Sequence, residues 1–347
     1  MKFTVACKIG EYCMKSFCLA MLLLIVCSWP CLAENMEVTP FRTFNQSPLV
    51  QIFGIPSETL STTVKAGRTK VNLIQDIASN YTVASNTSER IHLDGESYRW
   101  AIAARYGLTD RLEIGLDVPY LLSGGGFLDG FIVDWHKTFS LPQGGRDSAP
   151  KNKLQYTYTK NGRQILNMDR SGSGIGDISL GGALNIYDVK DVESHDSITL
   201  RTAIKLPSGD SSQLRGSGSI DFSVYLCGSM NNFTEWGSLG IFGSIGGLAM
   251  TKGNVLPDQQ KQLAGFGTAG FGWGPAEWIS FKFQLNANTP LYSGSSLAEL
   301  SKSSLMLTVG GALKLPGAYH LDIGVSEDLA VATAPDVAFH LGLSKQF

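Results

Sequence analysis

Cysteine is nearly absent from the body of this sequence. Of six in 347 residues, five fall between positions 7 and 31, and only Cys227 lies beyond them. A lone thiol makes no internal disulfide and no cysteine metal cluster. Charge is scarce as well: Asp, Glu, Lys and Arg make up 17% and sum to −2, which excludes the broad basic face of a nucleic-acid binder. Long apolar runs are also missing. Beyond residue 33 no stretch approaches the roughly 18 continuous apolar residues of a membrane helix. The longest candidate, residues 239–250, is interrupted by four glycines.

The sequence does hold an address at its start. Met14 and Lys15 open a short basic segment, residues 17–26 are apolar, and Cys31-Leu32-Ala33 is a small-residue cleavage site. This reads as a secretory signal peptide over 1–33, with Met14 the better start. An exported chain without disulfides depends on burial or on a closed hydrogen-bonded sheet.

Alternation is the dominant pattern. Tyr98, Trp100, Ile102, Ala104 and Tyr106 share one face, and Arg99, Ala101, Ala103 and Arg105 the other. Leu112, Ile114, Leu116 and Val118 likewise oppose Arg111, Glu113, Gly115 and Asp117. The same split recurs near residues 198–206, 220–227, 279–286, 305–314, 319–326 and 337–344. About twelve strands are expected, at 69–81, 96–106, 111–121, 176–186, 197–206, 219–230, 236–250, 262–273, 277–288, 303–314, 318–327 and 336–347. Those at 236–250 and 262–273 alternate poorly because they are rich in glycine.

Connection lengths add an independent signal. Short connections fall on even positions in the series, and the very long one, 122–175, falls on an odd position. Outer-membrane barrels have short periplasmic turns and longer outside loops. One connection, 187–196, is longer than a tight turn. A soluble sandwich would need a polar outer face, whereas here one face is fatty on most strands. Arg105 or Lys282 turned toward lipid would cost about 2–4 kcal/mol near the midplane. The charges therefore belong inside. The expected fold is an all-β transmembrane antiparallel barrel over 69–347, in contact with the lipid bilayer and lipopolysaccharide of a bacterial cell outer membrane.

Residues 44–56 (FNQSPLVQIFGIP), 126–152 (GFLDGFIVDWHKTFSLPQGGRDSAPKN) and 172–181 (GSGIGDISLG) resemble an uncharacterised family of proteobacterial outer-membrane barrels, domain-of-unknown-function family 3187. The resemblance implies location and fold and carries no assigned activity. More loosely, the chain is similar to barrels proposed to pass phenols and other hydrophobic compounds. Its last strand, ending on Phe347, resembles the carboxy-terminal signal read by the outer-membrane assembly machinery.

The candidate lumen lining is Arg99, Arg105, Arg111, Glu113, Asp117, Asp177, Arg201, Lys205, Asp221, Lys282, His320, Asp322 and His340. It reads either as a pore wall that orients a polar solute or as a salt-bridge network that fills the lumen. Phe127, Leu128, Phe131, Ile132, Trp135 and Phe139 recur at helical spacing in the long second outside loop. They form either a greasy gate in the mouth or a helix capping the rim. Residues 34–68 are apolar enough to be an inward plug, with Phe41, Phe44, Leu49, Val50, Ile52 and Phe53 against the wall, or else a periplasmic tail. His340 is expected opposite Ile323, about 10 Å from His320, too far for a shared metal.

No cofactor or metal is expected. The favoured function is that of a passive channel or transporter for small molecules, with hydrophobic ones as one option. The rivals are a rim hydrolase using His136 or His92 and a closed barrel that binds a surface partner.

Overall fold

The computed structural model describes residues 36–139, 150–329 and 333–347. The signal-peptide and start-codon readings lie outside the described residues, as do the side chains of Trp135, His136 and Phe139.

The described residues form fifteen strands: β1 (Thr69–Ser85), β2 (Glu89–Gly107), β3 (Leu112–Gly124), β4 (Gln155–Lys160), β5 (Arg163–Met168), β6 (Gly172–Ile175), β7 (Ser179–Lys190), β8 (Ser194–Lys205), β9 (Asp221–Thr234), β10 (Gly237–Met250), β11 (Leu263–Ala276), β12 (Ile279–Asn288), β13 (Ser304–Leu315), β14 (Tyr319–Asp328) and β15 (Val337–Gln346). β6 and β7 are halves of one strand, since both pair with β3 on either side of a break at 176–178. β4 and β5 form a hairpin that extends β2 beyond the barrel. The remaining staves make a closed antiparallel barrel of twelve strands. The ring is completed by β1–β15 and β2–β3 pairing.

Closure at the seam involves the last residue. Phe347 donates its N–H to the Thr69 carbonyl at 2.7 Å and accepts from the Thr69 N–H at 3.2 Å. Lys345 Nζ lies 4.3 Å from the Tyr319 ring centroid and 5.3 Å from that of Phe347, a snorkelling position at an aromatic edge.

Alternation sets the two faces. Ile102, Phe222, Ile241 and Phe283 are 41–56% exposed on the outside, while Asp76, Lys282 and Thr308 are fully buried within. Aromatic pairs reinforce the outer wall, as between Phe271 and Phe283, stacked at 5.1 Å. Among the described residues each of the twelve staves is paired on both sides along at least part of its length, so the barrel body presents no open sheet edge to hydrocarbon.

Three sequence expectations need correction. The 187–196 connection is tight after all: β7 runs to Lys190, β8 restarts at Ser194, and Asp191 accepts from the N–H groups of Glu193 and Ser194. The bulge between Asn185 and Tyr187 had hidden the continuing pattern. Arg111 does not line the lumen; it is exposed in the short turn between β2 and β3. His340 pairs with Gly324, not Ile323, because both must share the inward face.

The gate reading of the long loop also changes. Asp129–Phe139 is a helix, but it sits against the outside of the wall. Leu128 and Ile132 pack on Val337, with Ile77 and Phe339 alongside. Phe131 lies 6.0 Å from Phe339, and Phe127 stacks on Tyr98 at 6.4 Å. Ile77, Tyr98, Val337 and Phe339 all share the outward parity of their strands. The Leu128 N–H donates to Glu96, which also accepts from Tyr98 Oη at 2.6 Å. A stripe that packs on the barrel's outer surface is not placed to close its mouth.

Replacing Phe283 with Arg puts a charge against hydrocarbon near mid-strand. We expect about 2–4 kcal/mol lower stability in urea-titrated refolding into vesicles, and about 0–1 kcal/mol for Trp236→Arg in a short turn. Equal effects at the two sites would contradict the lipid-facing assignment.

Candidate functional site: a threaded lumen with a charged wall

The segment before β1 lies inside the barrel. It rises along β9–β13. The Val38 N–H donates to Asn231 Oδ1 at 2.8 Å. The Gln284 amide pairs with both backbone groups of Phe41, at 2.8 and 3.1 Å. Higher up, Asn45 Nδ2 donates to Ser304 Oγ and to the Thr333 carbonyl. The chain then turns at 47–53 and descends along β9, β8 and β3. Gly54 N–H donates to Asp221 at 2.7 Å, Arg201 donates to the carbonyls of Leu60 and Thr62, and Val64 N–H donates to Glu113 at 2.9 Å. Barrel side chains thus hydrogen-bond a backbone whose one sheet contact, among the described residues, is the bridge between Ala66 and Gly107.

Room for the rising arm comes from the glycines of β10 and β11. Gly240 and Gly272 are cross-strand partners facing inward. A Cβ on Gly240 would stand 2.5 Å from Val38 Cβ, and one on Gly272 would stand 2.6 Å from Val38 Cγ1. Gly270 instead makes room for Phe242, its cross-strand partner on β10. The weak alternation of these strands therefore reflects small inward residues, which admit the inner segment at Gly240 and Gly272. Glycines at 240 and 272 were the available sequence signal.

At the outer end the turn meets the long loops. Leu49, Ile52 and Phe53 share one buried apolar cluster with Tyr156, Leu256 and Leu297. Tyr292 Oη donates to the Leu49 carbonyl at 2.9 Å. Glu89 staples this cap from the tip of β2. It accepts from Tyr158 Oη at 2.5 Å, Ser296 N–H at 3.0 Å and Ser295 Oγ at 3.2 Å, with Lys160 Nζ 3.5 Å away. Burial raises its carboxyl, but these donors and the Lys160 charge outweigh burial and hold it at about 2.

The inner wall is a chain of ion pairs. Arg99 meets Asp76 at 3.0 Å, and Asp76 also bonds His340 Nδ1 at 2.6 Å. Arg105 grips Asp117 bidentately at 2.6 and 2.9 Å. Arg201 meets Glu113 at 2.8 Å. Lys205 joins Asp177 and Asp221 at 2.5 and 3.2 Å, and Lys282 bonds Asp322. His320 lines a cavity instead, beside Lys70 and Lys314. Composition alone left Arg42, Glu58, Lys70 and Lys314 out of the site; all four are in or on the lumen.

Open space remains along one wall. A cavity of about 390 Å³ at the short-turn end touches Arg105, Glu113 and Arg201. These residues also border a constriction of about 30 Å³, room for about two waters. Beyond it a cavity of about 80 Å³ shares Asp117 and Pro56 and reaches Leu121 and Arg215.

Arg201 and Glu113 are both buried. Arg201→Met strands the carboxylate and is expected to cost about 3–5 kcal/mol in urea titrations, with Arg201→Met/Glu113→Gln recovering part of that loss. A double variant no better than the single would refute the pairing. Glu58, on the descending arm, accepts from Ser244 Oγ.

Solved structures similar to this chain are membrane barrels. The COG4313 outer membrane channel from Pseudomonas putida F1 shares 13% identity at a TM-score of 0.50, covering 83% of this chain and 98% of its own. LpxR from Salmonella typhimurium shares 7% at 0.41, covering 79% and 99%. The KdgM porin in complex with disordered oligogalacturonate shares 9% at 0.40, covering 80% and 99%. At 13% identity the first likeness establishes the barrel fold alone. No curated protein matches the sequence. The architecture, with short turns at one end and long capped loops at the other, is that of a bacterial outer-membrane barrel. Residues 16–347 match the family model described as "Protein of unknown function (DUF3187)", and the chain belongs to that family.

Proposed function

We propose that the protein is a passive outer-membrane channel for small molecules, closed at rest by its own N-terminal segment. The observation that carries this reading is the series of three cavities along β2, β3, β7 and β8, narrowed to about 30 Å³ beside Pro56 and Thr59 of that segment. A wall built only for stability has little reason to leave a row of adjoining spaces on one side.

The segment is held mainly by hydrogen bonds to barrel side chains, and its apolar turn is held by the outer loops. Such contacts can be exchanged for water when the segment shifts, without breaking the barrel's backbone ladder. The constriction is bordered by Arg105, Asp117, Glu113 and Arg201, so the path is polar there. We accordingly read the solute as one with a polar group, carried by orientation and not by chemistry at the wall. The apolar cap at the outer mouth, with Leu49 and Phe53 in it, supports entry of solutes that also have an apolar body.

Planar-bilayer recordings test the reading. The full chain should give rare, small openings, and a chain lacking residues 40–60 should give a steady ohmic pore. A Ser61→Cys/Ser229→Cys pair, whose native hydroxyls lie 2.5 Å apart, should silence the openings when oxidised and restore them when reduced. A shortened chain that inserts but stays electrically silent would instead support a sealed barrel acting through its surface loops.

A further inference from the structure

One ion is out of place on the outer wall. Among the described residues, Asp196 is the one charged side chain on the outward parity of β7–β10. It shares that parity with Ile198 and Leu200, while its neighbours His195 and Ser197 are buried on the inner face. Asp196 Oδ1 is buried and has no hydrogen-bond partner. The residue as a whole is only partly buried, so its carboxyl can turn an oxygen toward a donor outside the wall.

Beside this carboxylate the wall is dented. Gly228 on β9 and Gly243 on β10 are cross-strand partners on the outer face, and Ile198 on β8 pairs with Gly228 from the other side. With Tyr187, Met230 and Ile241, the two glycines border a groove of about 370 Å³ that also touches Asp196. The bulge in β7 forms one lip. Ile186 and Tyr187 are consecutive and yet both exposed, a re-aiming of side chains that bulges permit.

The groove runs from headgroup depth into hydrocarbon. Asp196 is three residues from Glu193 in its short turn, and Gly243 is seven from Trp236 in the next. At about 3.4 Å per residue and a tilt of about 40°, they stand roughly 8 Å and roughly 18 Å above the turns. The carboxylate is thus level with the lipid heads of the short-turn leaflet, and the glycines lie beside acyl chains.

Hydrocarbon offers an oxygen no donor, and an acceptor left without one is costly. A primary ammonium brings three N–H donors and the opposite charge. A trimethylated ammonium brings the charge alone. The outer wall already faces lipid, so a groove in it continues an existing lipid surface, and the carboxylate at its mouth selects the head.

We propose that this groove binds one glycerophospholipid with a primary-amine headgroup, its ammonium on Asp196 and an acyl chain against Gly228 and Gly243. Nothing in this requires a solute path, so it stands apart from the channel reading.

Native mass spectrometry of the full chain, refolded in lipid-free micelles, would use three dioleoyl probes: phosphatidylethanolamine, phosphatidylcholine and phosphatidylglycerol. One phosphatidylethanolamine should be retained at about ten-fold lower lipid concentration than either of the others. Asp196→Ala should bring phosphatidylethanolamine down to the level of phosphatidylcholine and leave phosphatidylcholine unchanged. Gly228→Leu should weaken all three by filling the groove. A Cβ at Gly228 would meet nothing closer than 3.6 Å, so the sheet has room for it. Glu193→Ala, at an exposed acid of the neighbouring turn, should change nothing. Equal retention of the three lipids would mean an unselective lipid shell and would overturn the proposal. So would a preference that survives Asp196→Ala, retention undiminished in Gly228→Leu, or a preference lost in Glu193→Ala. A dimer in lipid-free micelles that Gly228→Leu abolishes would assign the groove to a second copy of the chain instead.

Discussion

Closure of the sheet is the constraint from which the rest follows. In hydrocarbon an unpaired backbone group costs several kcal/mol, so the first and last staves must meet. They do so through a ten-residue register between β1 and β15, extended by the Thr69–Phe347 bonds. Once the ring is closed, every strand has one face in lipid and one face in the lumen, and a single parity decides the fate of each side chain. The fatty set has one permissible side, and the ions are carried inward with the alternate residues.

That inward transfer creates a second problem. A twelve-stranded lumen is too wide for side chains alone to fill and too narrow to be bulk water. Ions there must be paired or hydrogen-bonded. The wall solves this locally, with pairs such as Arg105–Asp117 and Lys205–Asp177. The inner segment solves it again by offering carbonyls to Arg201 and Lys205 and N–H groups to Glu113 and Asp221. Segment and wall are therefore mutually dependent. The same contacts that seat the segment complete the solvation of the wall's charges. Each of these contacts is of a kind that water could also make.

Much of the barrel could be read from the residues, because period-two alternation is enforced at every position by the cost of a misplaced charge. The Ile198–Leu206 and Ile279–Leu285 stripes leave no other parity. Where that cost vanishes, so does the signal. Arg111 continues the alternation of β3 by chance, but it stands in a turn where water meets it on either face. The β7 bulge shifts parity at Tyr187 and made a tight turn look long. The loop stripe from Phe127 to Ile132 has true helical spacing, yet spacing says nothing about which wall a helix finds. An outer wall already rich in aromatics at Tyr98 and Phe339 proved the better partner. The candidate site was less legible for a related reason. Arg42 and Glu58 lie in an irregular segment, with no periodic pattern to assign them a face.

The glycines of β10 and β11 show how the two levels join. Glycine inside a strand weakens it and leaves no side chain to pack, so alternate glycines on an inward face would ordinarily count against the fold. Here Gly240 and Gly272 stand opposite each other and Val38 fills the space of both missing side chains. The cost is borne by the strands and recovered by the segment, which gains a seat only where the wall is thin. Filling either glycine would strengthen the sheet's local propensity and deny the segment its entry. The sequence keeps the weaker strands, and this is intelligible if a seated inner segment, more than the barrel's own firmness, is what the protein requires.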